Sequence, residues 1–271
     1  MSKPQNIIIS ISSDIGFSLA MKWLEGGKDV VGTYRTKSSL CEELESKGAN
    51  LFHCDLKDKK SIKRTINLIN KLSSWETLTF AAGHQEPVGK FLDCNFEEWG
   101  ESITVNFTHQ LNFLHGLMRN KSANKSSVLF FAGGGTNNAT IAYSAYTVSK
   151  IALIKMVELL DAEIVDTTFS ILGPGWVKTK IHESTLKAGN AAGKNYEKTI
   201  QMLENNGSEC YPIDKVVNCC DWLLSSPRNL VGGRNFSAVH DPWESDKINL
   251  IQDDPNIFKL RRFGNDFFKI R

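Results

Sequence analysis

The sequence has no apolar run long enough to cross a membrane: polar or charged residues break every hydrophobic stretch short of the roughly 20 residues that a spanning helix needs. Met1 to Asn6 are too polar for a secretory leader. A strong charge of one sign is also missing. The 32 basic and 30 acidic residues leave a formal net charge of +2, which gives no electrostatic reason to expect a nucleic acid or a lipid surface as partner. The six cysteines, Cys41, Cys54, Cys94, Cys210, Cys219 and Cys220, form neither a Cys-x-x-Cys pair nor a metal-binding spacing. They read as small interior residues of a reducing compartment, so a cytoplasmic location is expected and no metal site. The six histidines are equally dispersed; only His182 falls near the candidate site below, and it also fits a surface position.

What is present is a stretch that organises the rest: Tyr143-Ser144-Ala145-Tyr146-Thr147-Val148-Ser149-Lys150, running into the apolar segment Ile151 to Leu160. On a helix, residues four apart share one face, so Tyr146 and Lys150 can converge on one point. A free phenol titrates near pH 10, and a neighbouring ammonium favours its ionised form. Lys150 would thus make Tyr146 a usable proton donor. The same spacing also fits a core tyrosine beside a solvated lysine.

The 271 residues are enough for one large domain, 1–271. Ile7 to Ile11 is β-branched and suits a strand buried on both faces. It meets Ser12-Ser13-Asp14-Ile15-Gly16, which turns into a helix reaching Gly26-Gly27. A strand, a tight turn and a helix N-terminus present backbone N–H groups to an anion such as a pyrophosphate, although a plain capped connection has the same outline. Further strands are expected at Asp29 to Arg35, Asn50 to Cys54, Thr77 to Gly83, Ser127 to Phe131, Thr168 to Leu172 and Arg234 to Val239. Asn95 with Glu98 three residues on marks a helix start, and that helix carries Asn106 near its middle, facing outward or held by a hydrogen bond.

Alternating strands and helices imply an α/β fold: a single-domain, Rossmann-type, doubly wound parallel sheet of about seven strands, with ligands at the carboxyl ends of the strands. In dinucleotide folds an acidic residue after the second strand holds the ribose 2′-hydroxyl, whereas an arginine suits a 2′-phosphate. Here Tyr34 takes the acidic place, followed by Arg35 and Lys37, which favours NADP over NAD. A solvated charge at a strand end is the plain alternative. The Lys- and Asn-rich stretch 181–210 is either a substrate lid or a surface excursion. The tail 241–271, with Trp243, Phe258 and Phe267, is aromatic enough to pack on the domain or on a second subunit.

Taken together, the order of these motifs resembles the short-chain dehydrogenase/reductase family along essentially the whole chain. The family's Thr-Gly-x-x-x-Gly-x-Gly turn corresponds to Ile9-Ser10-Ile11-Ser12-Ser13-Asp14-Ile15-Gly16, with only the last glycine kept. The resemblance implies an oxidoreductase in which Tyr146 is the acid/base, and Lys150 binds the nicotinamide ribose and lowers the tyrosine's pKa. It implies that Asn106 supports a water-linked proton relay, that Asp55 and Leu56 hold the adenine, and that Ala81, Ala82 and Gly83 stand for the Asn-Asn-Ala-Gly segment. Pro174, Gly175, Val177 and Thr179 resemble the segment gripping the nicotinamide. The serine that binds the substrate oxygen belongs at Ala132 or Gly133, and neither has a side-chain donor. Such a loss costs about 3 to 4 kcal/mol of transition-state stabilisation, so Thr136 or Ser144 is the candidate substitute, each also readable as an ordinary loop or helix-start residue. Gly233 to Ala238, Asp241-Pro242-Trp243 and Lys259 to Arg262 are similar to family members of surface-carbohydrate synthesis, hence a sugar or nucleotide-sugar substrate. A homodimer or homotetramer is implied as well. Two other readings stay open: a nucleotide-binding sensor or subunit without turnover, and an epimerase or dehydratase without net cofactor consumption.

Overall fold

The structure is a computed structural model that describes residues 3–204 and 210–264. Seven parallel strands form one sheet, in the order β3-β2-β1-β4-β5-β6-β7. They are β1 (Gln5–Ile9), β2 (Val30–Tyr34), β3 (Asn50–His53), β4 (Trp75–Phe80), β5 (Ser127–Phe131), β6 (Thr168–Gly173) and β7 (Asn235–Ser237). The order reverses between β1 and β4, which pair in register from Asn6 opposite Thr77 to Ile9 opposite Phe80. Such a reversal opens a crevice at the carboxyl ends of the strands.

Both faces of the sheet are covered, as the unbroken run Ile7-Ile8-Ile9 requires; all three are fully buried. Strand pleating sends alternate residues to opposite faces. Ile7 and Ile9 join Phe80, Phe113, Phe130, Leu153 and Val157 in one core. Ile8 joins Leu19, Trp23, Leu129, Val216 and Phe236 in the other. The first core is supplied by α3 (Lys59–Ile69), α5 (His109–Leu117) and α6 (Ser144–Glu163), the second by α1 (Asp14–Glu25), α2 (Ser39–Ser46), α9 (Ile213–Ser225) and α10 (Arg228–Val231). The remaining helices are α4 (Phe96–Ile103), α7 (Glu183–Ala188) and α8 (Lys194–Glu204).

Local chemistry explains where the helices begin. Ser13 caps α1 by accepting from the Gly16 amide, Asp58 caps α3 through the amides of Lys60 and Ser61, and Asn95 caps α4 through Glu97 and Glu98. The helix expected from Asn95 is not uniform. A π-helical turn, Thr104–Thr108, joins α4 to α5, and buried Asn106 lies within it. Such turns widen a helix so that one side chain can be aimed where regular spacing would not send it.

The tail packs on its own domain as far as it is described. Trp243 is buried and donates to the Ala238 carbonyl at 2.9 Å, and Phe258 meets Phe236 edge-on at 5.3 Å. Arg234, also buried, donates to the carbonyls of Ile251, Asp254 and Ile257. Phe267 lies outside the described residues. Cys41, Cys54, Cys219 and Cys220 are buried free thiols; Cys94 and Cys210 are half-buried.

Gly32 in β2 is demanded by contact: a Cβ there would sit 2.4 Å from Cδ1 of Ile11. Gly32→Ala is expected to destabilise the fold by about 1 to 3 kcal/mol through overpacking, read from urea denaturation. Adding Ile11→Ala should restore part of that loss, because the two changes act on one contact.

Candidate functional site

Tyr146 and Lys150 lie one turn apart on α6, where that helix passes under the carboxyl ends of β4 and β5. Lys150 is 1% exposed, and its ammonium donates to the carbonyls of Phe131 at 2.9 Å and Ala82 at 3.4 Å. Burial pulls its pKa down to about 8. Tyr146 is half-buried, and burial pushes its phenol up to about 12. The acidifying influence expected from Lys150 is therefore not seen in this arrangement. The ammonium stands 5.6 Å from the centre of the phenol ring and is held by two carbonyls rather than by the hydroxyl.

The phenol rests on the loop after β5. A Cβ on Gly133 would fall 2.6 Å from Cε1 of Tyr146 and 2.9 Å from its hydroxyl oxygen. Position 133 is thus not merely without a serine: the tyrosine ring occupies the room a side chain there would need. Of the two expected substitutes, Thr136 is half-buried in the cavity wall. Ser144 is not: its hydroxyl accepts from Nε1 of Trp99 at 2.9 Å, outside the cavity lining.

The turn after β1 keeps the backbone path that its missing glycines would allow. Ser10 adopts a left-handed φ of 63°, and its carbonyl accepts from the Ser13 amide at 3.0 Å. Gly16 is required by close approach, since a Cβ would lie 2.8 Å from the Ser10 carbonyl oxygen. Among the described residues nothing takes the amides of Asp14 and Ile15, which open α1 in the cavity wall. Two free amides at the positive end of a helix fit a diphosphate. The Asp14 carboxylate accepts from the Lys180 amide at 2.9 Å, joining this turn to the segment across the cavity.

That cavity, about 1330 Å³, has room for a dinucleotide and a second molecule. Of the residues expected to hold a cofactor, its wall contains Ser10, Ser12, Ser13, Asp14, Ile15, Arg35, Asp55, Leu56, Ala81, Ala82, Gly83, Lys150, Pro174, Gly175, Val177 and Thr179. Gly16, Tyr34 and Asn106 are outside it. Tyr34 pairs in register with His53 on β3 and meets that ring edge-on at 5.9 Å. Lys37 is tied to Glu45 at 2.9 Å, so Arg35 is the basic group left at this end of the cavity. Asn106, fully buried, accepts from the His84 amide at 2.9 Å and donates to the His84 carbonyl at 2.6 Å, so it fixes the chain just after Gly83.

His182 is not the surface residue it also resembled. It is half-buried, stacks on Trp176 with centroids 4.3 Å apart, and is hydrogen-bonded to the Val177 carbonyl at 2.9 Å; burial lowers its pKa. The segment 180–204, mostly α7 and α8, contributes Ile181, Thr185, Asn195 and Thr199 to the wall. Residues not anticipated are His84, Gln85 and Thr185, together with Tyr143, whose hydroxyl shares a 2.7 Å hydrogen bond with Thr185. Tyr143 stood in the stretch that drew attention first; nothing local marked its partner 42 residues away.

A parallel sheet with an order reversal, free amides after β1 and a Tyr/Lys pair beside the cavity at the strand ends define a doubly wound α/β fold. The sequence profile of the family described as short chain dehydrogenase matches residues 6–189, and the chain belongs to that family. A short chain dehydrogenase, pgmD, of Aspergillus terreus is 26% identical over 191 residues, covering 66% of this chain and 57% of that protein. The match therefore spans little more than half the length of the Aspergillus relative. The human mitochondrial dehydrogenase/reductase SDR family member 2 is 20% identical over 86% of this chain and 84% of its own length. The fold is shared with the Saccharomyces cerevisiae short-chain dehydrogenase/reductase YIR035C, at a TM-score of 0.75, 19% identity and coverage of 90% and 98% of the two chains. It is shared too with an actinorhodin polyketide ketoreductase solved with NADPH, at a TM-score of 0.75, 16% identity and coverage of 87% and 95%. For an NAD+-bound xylitol dehydrogenase the values are 0.74, 17%, 86% and 96%.

A serine held at positive φ carries strain of about 1 kcal/mol that glycine does not. Ser10→Gly is accordingly expected to raise stability by up to about 1 kcal/mol in chemical denaturation, the flexibility gained by the unfolded chain offsetting part of the relief.

Proposed function

We propose that the chain is an NADP-dependent oxidoreductase moving hydride between the nicotinamide and a carbonyl or alcohol substrate. The observation that carries this reading is Tyr146 at the cavity floor with the Lys150 ammonium one turn behind it. When bound, the nicotinamide supplies or takes up the hydride, chemistry that no side chain provides. The chain's own part is to bind, orient and move a proton. In reduction Tyr146 gives its hydroxyl proton to the substrate oxygen as the carbonyl carbon gains hydride, so the product is an alcohol and the protein is left with a phenolate. Lys150 opposes that negative charge and holds the nicotinamide ribose; Asn106, through the His84 backbone, shapes the path by which the proton is restored. Small residues at Ala81, Ala82 and Gly83 let a flat ring lie on the backbone. Asp55 and Leu56 take the adenine end, and Pro174, Gly175, Val177 and Thr179 the nicotinamide end.

NADP is preferred to NAD because Arg35 reaches this cavity and Tyr34 leaves no carboxylate to receive a 2′-hydroxyl. A sugar or nucleotide-sugar substrate is consistent with a wall bearing Gln85, Asn137, Asn138, Thr140 and Asn195. The segment 181–204 serves as a lid over it; residues 205–209 of the expected lid lie outside the described residues. Exposed Phe91, Leu92, Phe96 and Val148 support a homodimer or homotetramer. Among the described residues no helix is long and apolar enough to cross a membrane, in keeping with a cytoplasmic enzyme. The absence of a side-chain donor at Ala132 and Gly133 favours one other reading, a nucleotide-binding subunit without turnover. NADPH binding with no NADPH oxidation across a broad carbonyl panel would select it.

Tyr146→Phe is expected to lower kcat by about 100-fold or more while the NADPH Kd, followed by fluorescence, shifts by less than about threefold. Full activity in this variant would end the assignment. Lys150 loses its charge as pH rises through about 8, so kcat/KM for carbonyl reduction should fall above that pH, whereas Tyr146, near 12, stays protonated. A rate still climbing from pH 8 to 10 would contradict the role given to Lys150.

A further inference from the structure

The loop that follows β5 bears on how a substrate oxygen is held, a question that rests on reading Tyr146 as the proton donor. Charge growing on a carbonyl oxygen is best stabilised by more than one donor, and next to the loop after β5 the Tyr146 hydroxyl is the side-chain donor already assigned. Position 133 is closed to any side chain, because the Tyr146 ring lies where its Cβ would be. Ser144, which accepts from Trp99, lies outside the cavity lining. The Ala132 amide is engaged, donating to the Leu172 carbonyl at 2.9 Å.

Among the described residues the next two amides, of Gly133 and Gly134, have no partner, and Gly134 is the more exposed of the two. A Cβ on Gly133 would lie 2.9 Å from the Tyr146 hydroxyl oxygen, which places the Gly133 backbone within about one bond length more of the phenol and the peptide joining Gly133 to Gly134 next in line. Gly134 is exposed in the cavity wall, and among the described residues its amide has no partner. The loop then turns away through Gly135 at a φ of 99°, where a Cβ would fall 2.5 Å from Cγ2 of Thr147. Contact therefore imposes glycine at 133 and 135. At 134 it does not: a Cβ there would meet only the Thr140 hydroxyl, at 3.9 Å.

We propose that the backbone N–H of Gly134 is the second hydrogen-bond donor to the substrate carbonyl oxygen, replacing the hydroxyl that positions 132 and 133 cannot supply. An amide is fixed by the backbone and needs no rotamer to be selected, so it is aligned before the charge develops. The hydride and proton transfers are those already given; the amide accepts no proton and gives none up. The Thr136 hydroxyl, two residues further along, is then not the required group.

Position 134 permits a direct test. Gly134→Ala keeps the amide and fits the open space, whereas Gly134→Pro deletes it; φ at 134 lies outside the left-handed region, so the ring is not excluded by backbone sign. With trifluoroacetophenone as the ketone and NADPH as reductant, Gly134→Pro is expected to have a kcat roughly 100-fold below that of Gly134→Ala, with similar NADPH Kd values. Thr136→Val should cost less than about tenfold. In the parent protein, the Gly134 amide proton should move downfield in NMR when the ketone is added to the NADP+ complex, a readout that survives if the proline variant fails to fold. Equal turnover of the proline and alanine variants, a loss confined to Thr136→Val, or an unmoved Gly134 amide would each overturn the proposal. In those cases an inactive Tyr146→Phe still leaves the wider reading standing, while an active Tyr146→Phe removes both.

Discussion

The interaction on which the site depends is the seating of one ammonium on the ends of two strands. Among the described residues Lys150 pairs with no carboxylate; its donors go to the carbonyls of Phe131, the last residue of β5, and of Ala82, two residues beyond β4. A buried charge without such acceptors would be expelled or neutralised. Its position therefore requires adjacent parallel strands to end at the same level, which the register from Thr77 opposite Ser127 to Phe80 opposite Phe130 supplies. The sheet places the lysine, the lysine lies behind the tyrosine, and the tyrosine lies against Gly133.

Each neighbouring feature serves that geometry. The stacked rings of Phe80 and Phe130, 4.6 Å apart, pack beneath the strand ends in the same core as Leu153 and Val157 of α6. The π-helical turn brings Asn106 round to grip both polar groups of the His84 backbone, so the chain leaving β4 is held by a buried side chain rather than by a further strand. Burial is also what separates the two titrating groups. It drives the phenol and the ammonium in opposite directions, both toward neutrality, and leaves the phenol the weaker acid of the two.

Much of this was legible in the residues themselves. Ser127 to Phe131 reads as a strand and forms one with the same bounds; Asn95 reads as a cap and accepts from the two amides a cap should take. Tyr146 and Lys150 are four apart on one helix, and local spacing was enough to unite them. What could not be read depends on contacts distant in sequence. No pattern along the chain tells that Trp99 claims Ser144, that Glu45 holds Lys37, or that a phenol lies where the side chain of residue 133 would go. Tyr34 shows a different limit: the motif marks its place in the chain, but the pleat of β2 turns it toward His53 and leaves Arg35 at the cavity.

The grip of Arg234 on the tail has a bearing on synthesis. β7 is three residues long and among the described residues pairs with β6 alone, while the guanidinium just before it is satisfied by carbonyls as far on as Ile257. On a ribosome the outer edge of β6 stays bare until those late residues emerge, a parallel edge open to any extended neighbour. A nascent chain halted before Ile257 would present that edge to other chains.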